Sequence, residues 1–369
     1  MSARLGTPET SIGTGRRQGA SDGRIRVVVV GATGYAGAEL VRILARHPAV
    51  ELVGLAGRGR SAEPVEAVHP HLAATRLTLD EAVPEADAVF LALPHGVAVD
   101  RVPAIVEAGA TVIDLGADFR LRDPADYPRW YRFEHARPDL LAGAVYGLPE
   151  LHRAELLALA GKDVRIVGSP GCYATASILA LAPLARAGLL GDVVVDAKSG
   201  VSGAGRDTKP EYMFGEVNES VRAYGIGGHR HVAEVEQEVG LAAGGAANPG
   251  AKGIDFLPHL VPMTRGILAA AHVRPTRPTS QAELDALFAS AYAEEPFVSV
   301  VAVPPATKHV TGSNEARIHV SYDPRTARIL VLSVLDNLVK GAAGQAVQSF
   351  NLVHGLAETA GLEQLPLVP

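Results

Sequence analysis

Short apolar runs alternate with segments of helical period in the first half of the chain. The run Ile25 to Val30 is β-branched apart from Arg26, and a helix is predicted from about Ala36 to Arg46. Similar runs recur at Val50 to Leu55, Ala88 to Leu93 and Thr111 to Leu115. Because uninterrupted apolar strands are typical of parallel sheets covered on both faces, this half predicts an α/β, Rossmann-type doubly wound parallel sheet.

β-prone segments dominate the second half of the chain. They are predicted at Ile254 to Leu257, Gly266 to Val273, Val298 to Val303, Ala316 to Tyr322 and Arg328 to Leu335, with one helix near Gln281 to Ala293. Strands that follow one another with few helices between them predict an α+β region with a mainly antiparallel sheet. A last helix is predicted after Asn337, and its small residues permit close packing.

Composition excludes several classes of protein. The net charge of −6 argues against bulk binding of nucleic acid, and a single cysteine excludes an internal disulfide framework. We expect no secretory signal and no membrane span, because no apolar run approaches the roughly 20 residues that a span needs. A cytoplasmic protein is therefore expected. Residues 1–23 are rich in Gly, Ser, Thr and Arg, and are expected to form a disordered tail.

The turn between the first strand and its helix has a glycine at every third position. It comprises Gly31, Ala32, Thr33, Gly34, Tyr35, Ala36 and Gly37. Glycine allows the backbone to turn sharply, a pyrophosphate to approach the amide groups, and the helix to lie close to the sheet. A strand, this turn and a helix in succession predict a dinucleotide-binding site.

The end of the second strand indicates which dinucleotide binds. An NAD protein carries a carboxylate here for the ribose, whereas this chain carries Arg58 and Ser61, with Arg60 between them. Cationic and hydroxyl donors at this place predict NADP, through contact with its 2′-phosphate. The alternative is a solvated basic loop.

The next two strands of this half also end at the predicted crevice. Pro94, His95 and Gly96 follow one strand, and a helix is predicted from there to about Gly109. Asp118 follows the other strand. Pro94, His95 and Asp118 are candidates to border the nicotinamide, because ligands bind at the carboxyl ends of strands in such sheets. The alternative is that they serve only as turn residues.

The only cysteine is predicted at the start of a helix. Arg165 to Gly168 is β-prone, Pro170 and Gly171 force a turn, and Tyr173 to Leu181 is rich in Ala and Leu. On the first turn of a helix, the unpaired amide groups and the dipole would lower the pKa of Cys172 and favour a nucleophilic thiolate. The alternative is a small buried apolar residue, which is the commoner role of a lone intracellular cysteine.

Two polar stretches of the second half supply further candidates. Lys198 to Arg206 is a glycine-rich loop that could bind an anion or lie mobile at the surface. His229 and His231 precede an acidic helix start, and Glu234 is placed to orient an imidazole that acts as acid and base. Metal is not expected, because no cysteine pair, His-x-x-x-His helix or carboxylate cluster accompanies these histidines.

The order of these motifs resembles the N-acetyl-γ-glutamyl-phosphate reductase family. The resemblance spans about Ile25 to Leu356 and rests on GATGYAG, LPHG, DLGADFR, YGLPEL, PGCYAT, KSGVSGAGR, HRHVAEVEQ, PHLVPMTRGIL, TKHVTGSN and DNLVKGAAGQAVQ. It implies the two-domain fold of aspartate-semialdehyde dehydrogenases, NADPH as hydride donor, and a homodimer or homotetramer. It also implies an NADP-binding domain over 24–168, a catalytic and oligomerisation domain over 169–336, and a C-terminal helix over 337–369 that packs back on the cofactor domain.

The resemblance assigns roles by position. Cys172 matches the family nucleophile, and His229 and His231 match its acid and base region, with His231 preferred. Asn337 is carried over to the cofactor. Apart from the resemblance, the candidates for the substrate are Arg120, Ser202, Arg206 and Arg265, whose arginines are cations suited to its phosphate and α-carboxylate. Ser169 and Ala233 depart from the family, which usually has Asn and Pro there.

The resemblance therefore implies an NADPH-dependent reductase of N-acetyl-glutamyl 5-phosphate in arginine biosynthesis. Cys172 would form a thioester, which hydride then reduces to the 5-semialdehyde. One alternative is a related reductase of aspartyl phosphate or of an N-blocked aminoadipyl phosphate. Another is a non-catalytic NADP-binding regulator that keeps the fold.

Overall fold

The computed structural model describes residues 23–82, 84–207, 209–245 and 253–368; the predicted tail, apart from Gly23, lies outside them. The strands are β1 (Ile25–Val30), β2 (Val50–Ala56), β3 (Glu63–Pro64), β4 (Thr78–Asp80), β5 (Ala88–Leu91), β6 (Thr111–Asp114), β7 (Val145–Tyr146), β8 (Ile166–Gly168), β9 (Leu190–Ser199), β10 (Arg222–Ala223), β11 (Asp255–Leu260), β12 (Ile267–Pro275), β13 (Val298–Val300), β14 (Ala316–Asp323) and β15 (Arg328–Leu335). The helices are α1 (Tyr35–Leu44), α2 (Val102–Glu107), α3 (Asp126–Trp130), α4 (Pro138–Leu141), α5 (Pro149–Leu159), α6 (Cys172–Arg186), α7 (Phe214–Val217), α8 (His231–Ala242), α9 (Gln281–Tyr292) and α10 (Gly344–Val353).

The first sheet has the order β3-β4-β2-β1-β5-β6-β8-β7. All its pairs are parallel except β3 with β4. The chain winds from β1 to one side through β2 and then to the other side through β5. This reversal opens a crevice at the carboxyl ends of β1 and β5, where doubly wound sheets bind ligands. The predicted Rossmann-type sheet is confirmed.

The second sheet has the order β10-β11-β9-β12-β15-β14-β13. It is parallel at β11 with β9 and at β13 with β14, and antiparallel at its other pairs. The prediction of a mainly antiparallel sheet is therefore also confirmed. Burial alternates along its central strand β12, so one face lies in the core and the other is half-exposed.

Helix α6 connects the two sheets. It begins at Cys172, directly after the turn that follows β8 of the first sheet. Every residue from Tyr173 to Ala185 is buried, and the helix packs on β9, β12, β15 and α8. A helix that is apolar all round is stable only inside a core. The position of Cys172 is therefore determined by the packing of the molecule and not by a surface loop.

The last helix lies against the first sheet. Phe350 of α10 packs its ring 5.5 Å from that of Phe90 on β5, and Val347 belongs to the same buried cluster as Val27 and Leu40. A π-helical turn, Val339–Ala343, precedes this helix. The chain thus crosses from the first sheet to the second and returns, while the domain boundaries stay a prediction.

One predicted helix is much shorter than expected. The sequence indicated a helix from Gly96 to about Gly109, but α2 covers only Val102–Glu107. The carboxylate of Asp118 accepts the backbone N–H groups of Gly96 at 2.6 Å and Val99 at 2.9 Å. A side chain here takes the amide groups that a helix would use, so the chain forms turns instead.

The glycine turn after β1 is tightly packed. Gly31 has φ +89°, and a Cβ atom on it would lie 2.2 Å from the carbonyl oxygen of Ala92. A Cβ atom on Gly37 would lie 2.1 Å from the carbonyl oxygen of Gly31, whereas one on Gly34 would have no atom closer than 3.6 Å. Gly31 and Gly37 are therefore required so that α1 can lie on the sheet.

We predict that Gly37→Ala lowers the free energy of unfolding by about 1 to 3 kcal/mol, because the new methyl group meets backbone that has no room to move. Gly34→Ala is the matched control and should cost less than about 1 kcal/mol, the scale of an N-cap change. Thermal and urea unfolding of the two variants measures the difference. Equal losses would contradict the packing described for this turn.

Candidate active site

Cys172 lies in a turn that two chain segments hold from opposite sides. It is the first residue of α6, it is half-buried, and Gly171 before it is extended at φ −72° and ψ 151°. A Cβ atom on Gly341 would lie 2.7 Å from the Cβ atom of Cys172. The π-helical turn that contains Gly341 therefore lies directly against the cysteine, and only glycine allows this approach.

Glu234 fixes the turn from the other side. Its carboxylate has no solvent exposure and accepts the backbone N–H of Gly171 at 3.0 Å. It also accepts the hydroxyl groups of Tyr131 at 3.0 Å and Tyr146 at 2.9 Å, and Nη1 of Arg120 at 3.1 Å. A buried carboxylate needs such partners, so Glu234 joins four segments around the residue that precedes the cysteine.

Arg120, proposed from the sequence as a substrate cation, is hydrogen-bonded within the protein. It is buried, its Nε donates to the carbonyl of Ser169 at 2.7 Å, and its Nη2 donates to the carbonyl of Leu115 at 2.8 Å. Burial opposes its charge, but Glu234 raises the pKa of Arg120 above its ordinary value, so the guanidinium stays charged. Arg120 thus supports the turn that precedes Cys172, through Ser169 and Glu234.

His231 is the imidazole nearest to the turn. A Cβ atom on Gly171 would lie 2.3 Å from Nε2 of His231, so the ring rests on the residue before the cysteine. Burial, and then His229 and the charges of Arg230 and Arg120, lower the pKa of His231 well below its usual value. The ring is therefore neutral at pH 7 and able to accept a proton.

The sequence suggested that Glu234 orients this imidazole. No hydrogen bond joins the two side chains. The distance from Oε1 of Glu234 to Nε2 of His231 is 3.9 Å, which is too long. Nδ1 of His231 has no hydrogen-bond partner among the described residues. Glu234 instead acts on the cysteine side, through Gly171.

His229 packs beside His231 with ring centroids 4.7 Å apart. Its Nδ1 accepts the backbone N–H of His231 at 3.3 Å. Burial and the neighbouring charge of Arg230 lower the pKa of His229 to about 4. Both imidazoles are thus neutral bases, and His231 lies on the turn that precedes Cys172.

The predicted direction of the Cys172 pKa is wrong. Burial raises the pKa of the Cys172 thiol, and the N–H of Tyr173 and the charges of Arg120 and Arg230 lower it by less. The helix start is present, but removal of water from the sulfur outweighs it. The cysteine is therefore a thiol beside neutral imidazoles.

The crevice at the glycine turn is lined by basic side chains. A cavity of about 500 Å³ is bordered by Thr33, Gly34, Arg58, Arg60, Arg206 and Asp207. Arg60 donates to both oxygens of Glu63, at 2.6 and 2.7 Å, and Ser61 donates to Asp80 at 3.1 Å. Arg58 is exposed at the carboxyl end of β2, where the sequence predicted a 2′-phosphate.

Arg206, which the sequence proposed for the substrate, borders this crevice. Its Nη1 donates to the carbonyl of Thr33 at 3.3 Å, and its Nη2 donates to the carbonyl of Val68 at 3.4 Å. The loop that carries Arg206 begins after Ser199, the last residue of β9, which pairs with β12. The loop extends from this strand to the first sheet. The sequence could not reveal this, because 173 positions separate Arg206 from Thr33.

Three further predicted residues lie next to strand ends of the second sheet, and Arg265 among them reaches α1. Arg265 pairs with Glu39 of α1 at 3.0 Å and with Asp336 at 3.5 Å, so it is not a free substrate cation as predicted. Asn337 donates from Nδ2 to Oγ of Ser202 at 2.9 Å and accepts the N–H of Gly266 at 2.8 Å. Ser202 and Asn337 thus hydrogen-bond to each other at the junction, where the chain turns toward the π-helical segment.

The remaining predicted cofactor residues lie along the mouth of the crevice. Pro94 and His95 are exposed after β5, and the His95 ring lies 6.0 Å from that of Tyr131. Tyr35 is exposed at the start of α1, and Ala36 follows it. Asp118 is buried and serves the turns of this loop, which is the alternative that the sequence left open.

Sequence reasoning missed a buried ion pair behind the cysteine. Lys340 has no exposure, and its Nζ donates to Oε1 of Glu150 at 2.5 Å and to Oε1 of Gln348 at 2.7 Å. Lys340 precedes Gly341, so this pair holds the π-helical turn in place. The motifs YGLPEL and DNLVKGAAGQAVQ contain these residues, but no local pattern indicates that they meet.

The structure also bears on metals and membranes. Across residues 23–82, 84–207, 209–245 and 253–368, no group of three or more His, Cys, Asp or Glu side chains is arranged to hold a metal ion. No helix within those ranges has the length and apolar character needed to cross a bilayer.

The chain matches two family models. Residues 26–159 match the semialdehyde dehydrogenase NAD-binding domain, and residues 172–337 match the semialdehyde dehydrogenase dimerisation domain. A protein from Heliobacterium modesticaldum named N-acetyl-gamma-glutamyl-phosphate reductase is 49% identical over 94% of this chain and 100% of its own length. A protein of the same name from Desulforudis audaxviator is 50% identical over 92% of this chain and 98% of its own length.

Solved structures share the fold at low identity. Aspartate semialdehyde dehydrogenase II from Vibrio cholerae, complexed with ASA, superposes with a TM-score of 0.65 at 16% identity, covering 89% of this chain and 98% of that chain. Aspartate semialdehyde dehydrogenase with NADP from Candida albicans gives 0.64 at 16% identity over the same shares. These two likenesses establish the fold alone.

The raised pKa of Cys172 predicts how the ligand-free protein reacts with iodoacetamide. Because only the thiolate reacts, the alkylation rate should rise about tenfold per pH unit from neutral into alkaline solution. The protein has one cysteine, so mass spectrometry reports on this site alone, and Cys172→Ala supplies the blank. A rate that is already constant at neutral pH would contradict the neutral thiol.

Proposed function

The chain belongs to the N-acetyl-gamma-glutamyl-phosphate reductase family of semialdehyde dehydrogenases, and from that premise we propose that it reduces N-acetyl-glutamyl 5-phosphate with NADPH. The products are N-acetyl-glutamate 5-semialdehyde and phosphate, a step of arginine biosynthesis. The observation that carries the proposal is the position of Cys172. It starts a buried helix, its turn is held by Glu234 through Gly171, and the neutral ring of His231 lies on that turn.

The crevice suits an NADP cofactor. Gly31 and Gly37 leave no space for side chains, so the turn exposes backbone amide groups next to the N-terminus of α1. Arg58 at the end of β2 fits a phosphate, and no carboxylate occupies that position. When bound, NADPH supplies the hydride that reduces the acyl carbon.

Cys172 and His231 act together in the first step. The thiol gives its proton to the neutral imidazole as Sγ attacks the acyl carbon, and a thioester remains on Cys172 once the bond from that carbon to the phosphate oxygen breaks. The departing phosphate takes up one proton from the solvent and leaves as hydrogen phosphate. The backbone N–H groups at the start of α6 face the developing oxyanion, and each such donor can contribute about 2.7 to 4 kcal/mol. Glu234 and Arg120 hold these groups in place.

His231 acts as acid and then as base after reduction. The imidazolium protonates the oxygen of the thiohemiacetal. It takes that proton back as the carbon–sulfur bond breaks, and the semialdehyde leaves. The proton then returns to the Cys172 thiolate, which restores the starting state.

Arg230 is the best-placed cation for the anionic substrate. It is exposed between the two histidines, and its charge lowers the pKa of Cys172 and of both rings. A guanidinium in that position suits a carboxylate or a phosphate. The three arginines chosen from sequence have protein partners, as described above.

The chain is further proposed to act as a cytoplasmic homo-oligomer with a small-molecule substrate and no nucleic-acid or membrane partner. A dimerisation-domain model covers residues 172–337, and one face of the second sheet is half-exposed along β12. The choice between a homodimer and a homotetramer stays a prediction.

The test is phosphate-dependent reduction of NADP with N-acetyl-glutamate 5-semialdehyde. We expect Cys172→Ala to lose at least about a thousandfold in rate while keeping NADP binding, since Cys172 is the only cysteine of the sequence. Comparable rates for the two proteins would end the covalent mechanism. Aspartate semialdehyde and an N-acetylated aminoadipate semialdehyde serve as competitors, and preference for either would assign a related reductase instead.

A further inference from the structure

We propose that Arg206, supplied by the second sheet's loop, binds the 2′-phosphate of NADPH together with Arg58 of the first sheet. This inference rests on the proposed function, because it takes NADPH as the cofactor. The preference for NADPH over NADH would then depend on both halves of the chain, and not only on the residues at the end of β2.

The position of Arg206 relative to the glycine turn supports this. Arg206 donates to the carbonyl oxygens of Thr33 and Val68, which lie on the β2 side of the turn. A Cβ atom on Gly57 would lie 2.6 Å from Cγ2 of Thr33, so Thr33 packs directly on the end of β2. Arg206 is therefore placed toward the ribose and away from β5, where the nicotinamide would lie.

The charges around the cavity point to a dianionic group. Arg60 has Glu63 as its carboxylate partner, whereas Arg206 donates to two uncharged carbonyl oxygens. Arg58 lines the same cavity of about 500 Å³, and Asp207 is the only acidic residue among those that border it. Two guanidinium groups on one cavity match the geometry of a phosphate monoester, which accepts paired N–H donors.

The backbone conformation of Gly205 determines the direction in which the chain presents Arg206. Gly205 has φ +85° and ψ −172°, a conformation that residues with side chains rarely adopt. A Cβ atom there would have no heavy atom within 4 Å, so the constraint is conformational and not a matter of space. Substitution of Gly205 therefore redirects Arg206 without creating a clash.

The experiment measures binding to the full chain without substrate. Dissociation constants for NADPH, NADH and adenosine 2′,5′-bisphosphate are determined by calorimetry for the wild type, Arg206→Gln, Arg206→Lys, Gly205→Ala and Arg58→Ala. Arg274→Gln, at an exposed arginine on the far end of β12, is the matched control. Thermal unfolding of each variant verifies folding.

We expect Arg206→Gln to weaken NADPH and the bisphosphate by about tenfold or more, as Arg58→Ala does, with NADH changed by less than about twofold. Arg206→Lys should retain part of the affinity, Gly205→Ala should resemble Arg206→Gln, and Arg274→Gln should match the wild type. Equal losses for NADPH and NADH, or no loss for either, overturn the inference. A wild type that binds NADPH and NADH alike would instead refute the proposed cofactor, so the two failures are distinguishable.

Discussion

The carboxylate of Glu234 is the constraint on which the site depends. A fully buried charge is unfavourable unless donors surround it, and removal of one partner from such a group costs about 3 to 5 kcal/mol. Here the donors come from Gly171, Tyr131, Tyr146 and Arg120, which lie in four segments of the chain. The hydrogen bonds that pair the Glu234 carboxylate are therefore also the ones that position Cys172. A chain that leaves Glu234 unpaired also loses the geometry of Cys172.

The same burial determines the protonation states. Removal of water raises the pKa of Cys172 and lowers those of His229 and His231, so the resting site holds no thiolate–imidazolium pair. In the proposed mechanism, the proton moves from the thiol to His231 in step with attack on the acyl phosphate, and the charge that develops falls among groups already oriented for it. Lys340 and Glu150 stabilise the opposite wall through Gly341.

Local patterns predicted much of this molecule. The β1 run, the glycine turn and the start of α6 at Cys172 each follow from a few neighbouring residues, and the structure has them. The partners of Arg120, Arg206 and Arg265 could not be predicted, because a guanidinium binds whichever carbonyl or carboxylate the fold brings to it. Arg206 meets Thr33 across 173 positions. The sign of the Cys172 pKa shift failed for a related reason: a helix start is visible in sequence, but the depth at which it is buried is not.

Direct detection of the acyl-enzyme tests the central claim most sharply. The wild type is mixed with N-acetyl-glutamyl 5-phosphate without NADPH, quenched in acid, digested and analysed by mass spectrometry. The account predicts an N-acetylglutamyl group on the peptide that contains Cys172, lost on addition of NADPH and absent from Cys172→Ala. A preparation that turns over with NADPH yet carries no adduct on that peptide would contradict it.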